Sequence, residues 1–288
     1  MSWQLTVILQ ITVGSLLVIA TRVFSLRSKQ TFFFSGVILY LMIFLVGAAI
    51  AIIANQSVPH PPTNPVVWLF LIGEGVFIPI GWLIQYRLIR SIGANSSVVI
   101  GILNACAAAL LGIIALGDAI SPSFLLGAIF IIGSSFVALR VGVSDSNDLP
   151  IRRKIGLVAV GMIVFSIGIF CEKQAISLIG VFDYAMYGWL MQLIGAVIIF
   201  IIAGKREIVH ISKRAVGRGA VLGLLTSVSG GLFIYALSQG TLSQTIIVTS
   251  SKLALTMALS AILLGERSHM WLRVIALTLA SIGVWLIA

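Results

Sequence analysis

Two ionisable residues stand in stretches of sequence that otherwise carry almost none. Lys252 lies in SSKLALTM, midway along an apolar run, and Glu74 lies in LIGEGVFIPIGW, well inside another. A lysine at the centre of a membrane helix costs about 2.5–3.5 kcal/mol on insertion scales. From the midplane it cannot snorkel to water as a terminal lysine does, so it must face other helices or a water-filled cavity. There it suits an anionic group such as a carboxylate, or serves as a switchable positive charge. The plainer alternative is a fixed salt bridge. Glu74 reads either as a proton acceptor kept from water or as a counter-charge to Lys252 or Arg22.

A second tier of residues would surround them. Asn104 sits in the middle of its own apolar run; a buried amide needs partners, and substrate contact or a helix–helix bond would each supply them. Pro79 interrupts a run and frees backbone carbonyls, either beside a cavity or as an ordinary packing kink. Trp82, Tyr86, Tyr184, Tyr187 and Trp189 are candidates to line a pocket, against the usual role of membrane Trp and Tyr as interfacial anchors. Tyr184, near a run's end, reads as an anchor; Tyr187 and Trp189 lie a turn deeper. Gly219 and Gly223 form a GxxxG, which brings helices close, within the bundle or between protomers. Cys106 and Cys171 form no CxxC, and His60, His210 and His269 form no HExxH, so no metal site is expected.

The elements that must position these groups follow from composition. Of 288 residues, 60% are hydrophobic and 9% charged, with a mean hydropathy of +1.17; an ordinary soluble domain carries about 25% charged residues. Lipid is the only solvent that suits such a surface. Ten apolar runs are near the ~20 residues that span a bilayer: roughly 4–21, 31–54, 66–86, 95–117, 122–139, 155–171, 182–203, 219–237, 241–264 and 270–288. They are too long for barrel strands and read as helices. The start, Met-Ser-Trp-Gln, lacks the basic region of a signal peptide, so the first run is expected to be a membrane helix.

The chain also repeats itself. Residues 93–139 and 240–286 each show a short Gly turn, a long helix, an L-G-acid turn (Leu116-Gly117-Asp118; Leu264-Gly265-Glu266) and a closing helix, offset by 147 and then 148. Thr21-Arg22 and Glu172-Lys173 match in the same way, each pair following the first helix of its half. Five helices per half turn the second copy upside down, the inverted-repeat construction of many secondary transporters. The expected fold is an all-α membrane protein with repeats at 1–141 and 155–288 and a linker at 142–154.

These features resemble the drug/metabolite transporter superfamily, specifically its EamA-like group of ten-helix carriers. The likeness rests on the two L-G-[DE] turns, the Gly turns before helices 4 and 9, and YALSQG (Tyr235–Gly240), and it covers essentially the whole chain. It implies a central substrate cavity opened alternately to each side, in a bacterial cell membrane. Family members often have a proline near the middle of helices 4 and 9, where this chain has Asn104 and Lys252.

Several function classes recede. The formal net charge is +10, but the cations sit in short loops rather than on a basic face, which marks topology and not nucleic-acid binding. No GxxxxGK[ST] is present, so ATP hydrolysis is not expected, nor any cofactor. An intramembrane enzyme would call for a GxSxG, an HExxH or paired acids on its helices; a channel would show rings of like polar residues. The expected function is secondary transport of a small polar metabolite, amino acid-like or another small organic solute, with export implied by the resemblance. Lipid surrounds the chain, as monomer or homodimer. Of the 18 Lys and Arg, all but Lys173 and Lys252 fall in or beside the loops after odd-numbered helices. Positive loops stay inside, so both termini are expected on the outer face, although family members more often keep both inside.

Overall fold

Every backbone polar group in a bilayer must be paired within its own segment, so apolar runs of this length become helices. The computed structural model describes residues 2–26, 32–92, 94–140, 151–203, 213–263 and 270–287. Among them are eleven helical segments: α1 Trp3–Leu26, α2 Phe32–Asn55, α3 Pro65–Ile92, α4 Ala94–Leu116, α5 Pro122–Arg140, α6 Ile151–Ile179, α7 Val181–Ala203, α8 Lys213–Gln239, α9 Leu242–Ser250, α10 Lys252–Leu263 and α11 Met270–Ile287. Seven segments are long and apolar enough to cross a membrane, Trp3–Thr21, Gly36–Asn55, Pro65–Ile84, Ala159–Ile179, Val181–Ile202, Val216–Gln239 and Met270–Ile287.

The surface is that of a protein dissolved in lipid. Ile53, Ile114, Ile202 and Trp285 are each at least 77% exposed, while Gln10, Glu74, Glu172 and Gln192 are buried. A soluble protein sorts these residue types the other way. The chain is therefore a multi-pass membrane protein.

Most close packing joins the first five helices to the later ones. α3 lies against α6 and α7, α2 against α7 and α8, α1 against α8 and α10, α4 against α6 and α9, and α5 against α11. The α3–α7 crossing is set by Pro79, which has no N–H for the carbonyl four residues back. That carbonyl, on Gly75, lies over Gly195 so closely that a Cβ there would strike it. A Cβ at Gly75 would in turn come within 2.6 Å of the Met191 carbonyl. Pro79 thus has the packing role. Gly223 performs the same service between α8 and α2, where a Cβ would meet Met42 Cβ at 2.5 Å; this half of the GxxxG packs within the bundle.

α1, α3 and α8 extend five or six residues beyond the expected runs, to Leu26, to Ile92 and back to Lys213, and three further differences bear on the site. α6 does not stop at Cys171 but runs on to Ile179, ending at Gly180, whose φ of +79° suits a glycine turn into α7. Glu172 and Lys173 are therefore inside a helix, not after one. The predicted linker loses Ile151–Lys154 to the first turn of α6; its residues 142–150 lie outside the described residues. The expected ninth helix is two segments, divided at Ser251, whose N–H bonds Val248 O at 3.1 Å. That three-residue bond is a local tightening of the kind that marks hinges in helices. Arg273, counted with the loop cations, is buried within α11.

One end of the bundle is tied by polar contacts between segments remote in sequence. Asp118, the acid of the first L-G-acid turn, accepts from the Ser243 N–H and Oγ, both at 2.8 Å, at the start of α9. Lys173 donates to the Leu237 and Gly240 carbonyls at 2.6 and 2.8 Å, closing the end of α8. A carboxylate at a helix N-terminus and a lysine at a C-terminus both complement the helix dipole. The second L-G-acid turn and Gly93 lie outside the described residues.

Candidate functional site

Lys252 is the first residue of α10, next to the break at Ser251 and midway through the α9–α10 pair. From Thr245 to Ala254 it is the only residue not buried, so its side chain borders open space inside a closely packed segment. Its carbonyl is bound by Ser15 Oγ at 2.9 Å and by Thr256 Oγ1 at 2.7 Å, which anchors the break to α1. The ammonium has neither hydrogen bond nor ion pair among the described residues. Beside it is Gly14. A methyl added there would sit 3.3 Å from Ser229 Oγ, 3.4 Å from Lys252 Cδ and 3.5 Å from Gln10 Nε2. These three side chains thus surround one small gap between α1, α8 and α10. The Gln10 amide oxygen, itself buried, has no hydrogen-bond partner. The Ser229 hydroxyl, the Gln10 amide and the stem of the Lys252 side chain therefore meet there, and the amide brings an open acceptor.

Glu74 lies elsewhere. Its Oε1 accepts from the Tyr184 hydroxyl and from Gln192 Nε2, and Tyr184 Oη also lies 2.9 Å from Glu172 Oε1. No hydrogen bond or ion pair links Glu74 to Lys252 among the described residues; the side chain of Arg22, the other counter-charge considered, lies outside those described. Tyr184 is no interfacial anchor: it is fully buried between two carboxyls. Its position near the start of α7 looked peripheral only while α6 was taken to end at Cys171. Glu172, Gln192 and Gln10 are buried polar residues that sequence reasoning missed, and Tyr184 is one it misplaced. One signal was available: a helix of residues 155–171 is short for a bilayer, and extending it carries Glu172 inward.

The other candidates are dispersed. Asn104 is buried in α4; its carbonyl receives Ser166 Oγ at 3.4 Å, and its Oδ1 has no partner. No hydrogen bond joins it to Lys252 among the described residues. Trp82 meets the Tyr40 ring edge-on at 6.1 Å. The Tyr86 side chain lies outside those described. Tyr187 is buried, donates to the Pro59 carbonyl at 2.6 Å and meets Trp68 edge-on at 6.2 Å. Trp189 is buried against Gly47 and lines an apolar groove of about 260 Å³ with Ile50, Phe182 and Tyr235. Cys106 and Cys171 are free thiols, and no cluster suited to a metal occurs among the described residues.

Residues 152–288 match the model of the EamA-like transporter family, so the second half of the chain is a domain of the drug/metabolite transporter superfamily, a class of membrane transporters. A solved crystal structure superposes with a TM-score of 0.71 at 14% identity, covering 96% of this chain and 97% of that one; at this identity the likeness is one of fold. No curated protein matches the sequence.

Proposed function

We propose that this EamA-like chain is a secondary transporter that exports a small polar metabolite by alternating access, with Lys252 as the group that receives the metabolite's anionic end. The observation that carries the reading is a Lys252 ammonium with no partner among the described residues, next to the tightened turn at Ser251 midway through the α9–α10 pair. A charge there is costly, and the described residues offer it no counter-charge; a ligand carboxylate would. Discontinuous helices at the midplane are where transporters with repeated halves bind substrate. The open Gln10 oxygen nearby suits an N–H donor on the same ligand, which favours an amino acid-like solute.

The inverted repeat belongs to this reading. Exchanging helices 1–5 for helices 6–10, with α9 and α10 taken as one, turns α1–α8 into α6–α3, α3–α7 into α8–α2 and α4–α6 into α9/α10–α1; α2–α7, α4–α9 and α5–α11 map onto themselves. The packing pattern supports ten crossings related by a two-fold axis in the membrane plane. Asn104, one insertion away from the repeat position of Lys252, is proposed as the opposite wall of the cavity. Trp82, Tyr86, Tyr187 and Trp189 are proposed as walls of the path rather than ligands. Both termini are proposed to face outward in a bacterial inner membrane. Lys173, whose ammonium is spent on helix carbonyls, drops out of the loop count and leaves the positive excess wholly on the other side.

A thermal-shift screen of amino acids and small carboxylates against purified protein tests the proposal, because a ligand of the folded state raises its apparent stability. At least one is expected to shift the wild type and not Lys252→Ala. A ligand that shifts both equally would remove Lys252 from the site.

A further inference from the structure

We propose that Glu74 and Glu172, joined through the Tyr184 hydroxyl, form a proton-binding site that links one proton to the packing of α3 against α6 and α7. Tyr184 Oη is within hydrogen-bonding distance of Oε1 on both carboxyls, yet a phenol has one proton to donate. The second contact is a hydrogen bond only when that carboxyl carries a proton and donates it to the phenolic oxygen. The trio therefore needs two hydrogens, one on the phenol and one on an acid.

Two arrangements satisfy it. Glu172 donates to Tyr184, which donates to Glu74; or Glu74 donates to Tyr184, which donates to Glu172. Passing from the first to the second breaks two O–H bonds and forms two, and moves one negative charge from Glu74 on α3 to Glu172 on α6. Gln192 Nε2, donating to Glu74 Oε1, supports the charge on Glu74.

The surroundings leave this proton essential. Tyr40 from α2, Cys171 from α6 and Tyr184 from α7 are the other titratable groups near the pair, and none is a cation. Lys173, adjacent to Glu172, points at the Leu237 and Gly240 carbonyls. Without the extra proton two carboxylates would share the single Tyr184 proton, with only Gln192 donating besides, and the buried Glu74 Oε2 already lacks a partner. Like charges that close, with no solvent, repel strongly. Losing the proton should therefore part α3 from α6 and α7. Because Glu74 and Tyr184 are fully buried, the proton can exchange with water only when that packing opens. Helices from both halves meet here, so binding from one side and release to the other would couple the proton to alternating access. That last step rests on the transport reading above; the proton site itself does not.

Infrared spectroscopy of the reconstituted full chain, without substrate, tests it. The carbonyl stretch of a buried protonated carboxylic acid is expected in the wild type, disappearing as one proton is titrated. Glu172→Gln is expected to abolish the band, because the amide of the substituted side chain supplies the second hydrogen. Tryptophan fluorescence should change with pH over the same range in the wild type and stay flat in the variant. A wild type with no titrating band, or a band unchanged in both Glu74→Gln and Glu172→Gln, would overturn the proposal. Loss of the wild-type band on adding sodium chloride at fixed pH would also overturn it, assigning the site to a metal cation. Failure of the transport reading looks different: solute uptake would not respond to Lys252 substitution, whatever the band does.

Discussion

The bundle holds two buried polar regions built in opposite ways. Around Glu74, Glu172, Tyr184 and Gln192 the side chains bond one another, with Glu74 Oε2 the one orphan among them, and the helices that carry them are locked by glycine contacts at Gly75 and Gly195. Around Lys252 neither the ammonium nor the Gln10 oxygen has a partner among the described residues, and Gly14 leaves a small gap bordered by movable side chains. A satisfied network stabilises the fold and defines one arrangement. An unsatisfied one is tolerated where something else completes it, as at functional sites that trade stability for activity.

Substitutions that probe stability should separate the regions. The largest effect is expected at Gly195→Ala, where the added methyl strikes backbone rather than side chain; overpacking of this kind costs about 1–3 kcal/mol, here at the upper end. Unfolding of purified protein in detergent measures it, and a loss below about 1 kcal/mol would show the α3–α7 crossing to be softer than described. Tyr184→Phe removes the hydroxyl common to both carboxyls and should cost about 1–3 kcal/mol. Asp118→Ala, which strips the start of α9 of its carboxylate, should cost about 1 kcal/mol, with a smaller change for Asp118→Asn. Gly14→Ala should change stability by less than about 1 kcal/mol, since it meets only side-chain atoms, which need give by no more than a few tenths of an ångström. It should nonetheless weaken ligand binding by filling the gap. Equal costs at Gly14 and Gly195 would erase the distinction between the regions.

The contrast also explains what could be read from residues alone. Lys252 was legible because one charge in an apolar run has few structural excuses. The helical class and most segment ends were legible for the same reason, that lipid demands long apolar helices. Glu172 was not legible: beside Lys173 it resembled the polar end of a helix, and its partners, Glu74 and Tyr184, come from other helices. Neither was the break before Lys252. Ser250 and Ser251 are unremarkable in a helix, and only the shifted hydrogen bond at Ser251 reveals the division. Paired acids sought as a sequence motif were invisible because the pair is made by packing of α3 on α6.

The central claim is that Lys252 is kept for a ligand rather than for the fold. Uptake of the labelled solute identified by thermal shift, measured in proteoliposomes holding wild type or Lys252→Met, tests it most directly. Methionine keeps the apolar bulk and removes the charge, so the variant should unfold no more easily than wild type, since a buried unpaired charge is a cost to the fold. Its uptake should fall to the level of empty vesicles. A variant that transports at the wild-type rate, or one that loses uptake only because it no longer folds, would contradict the account.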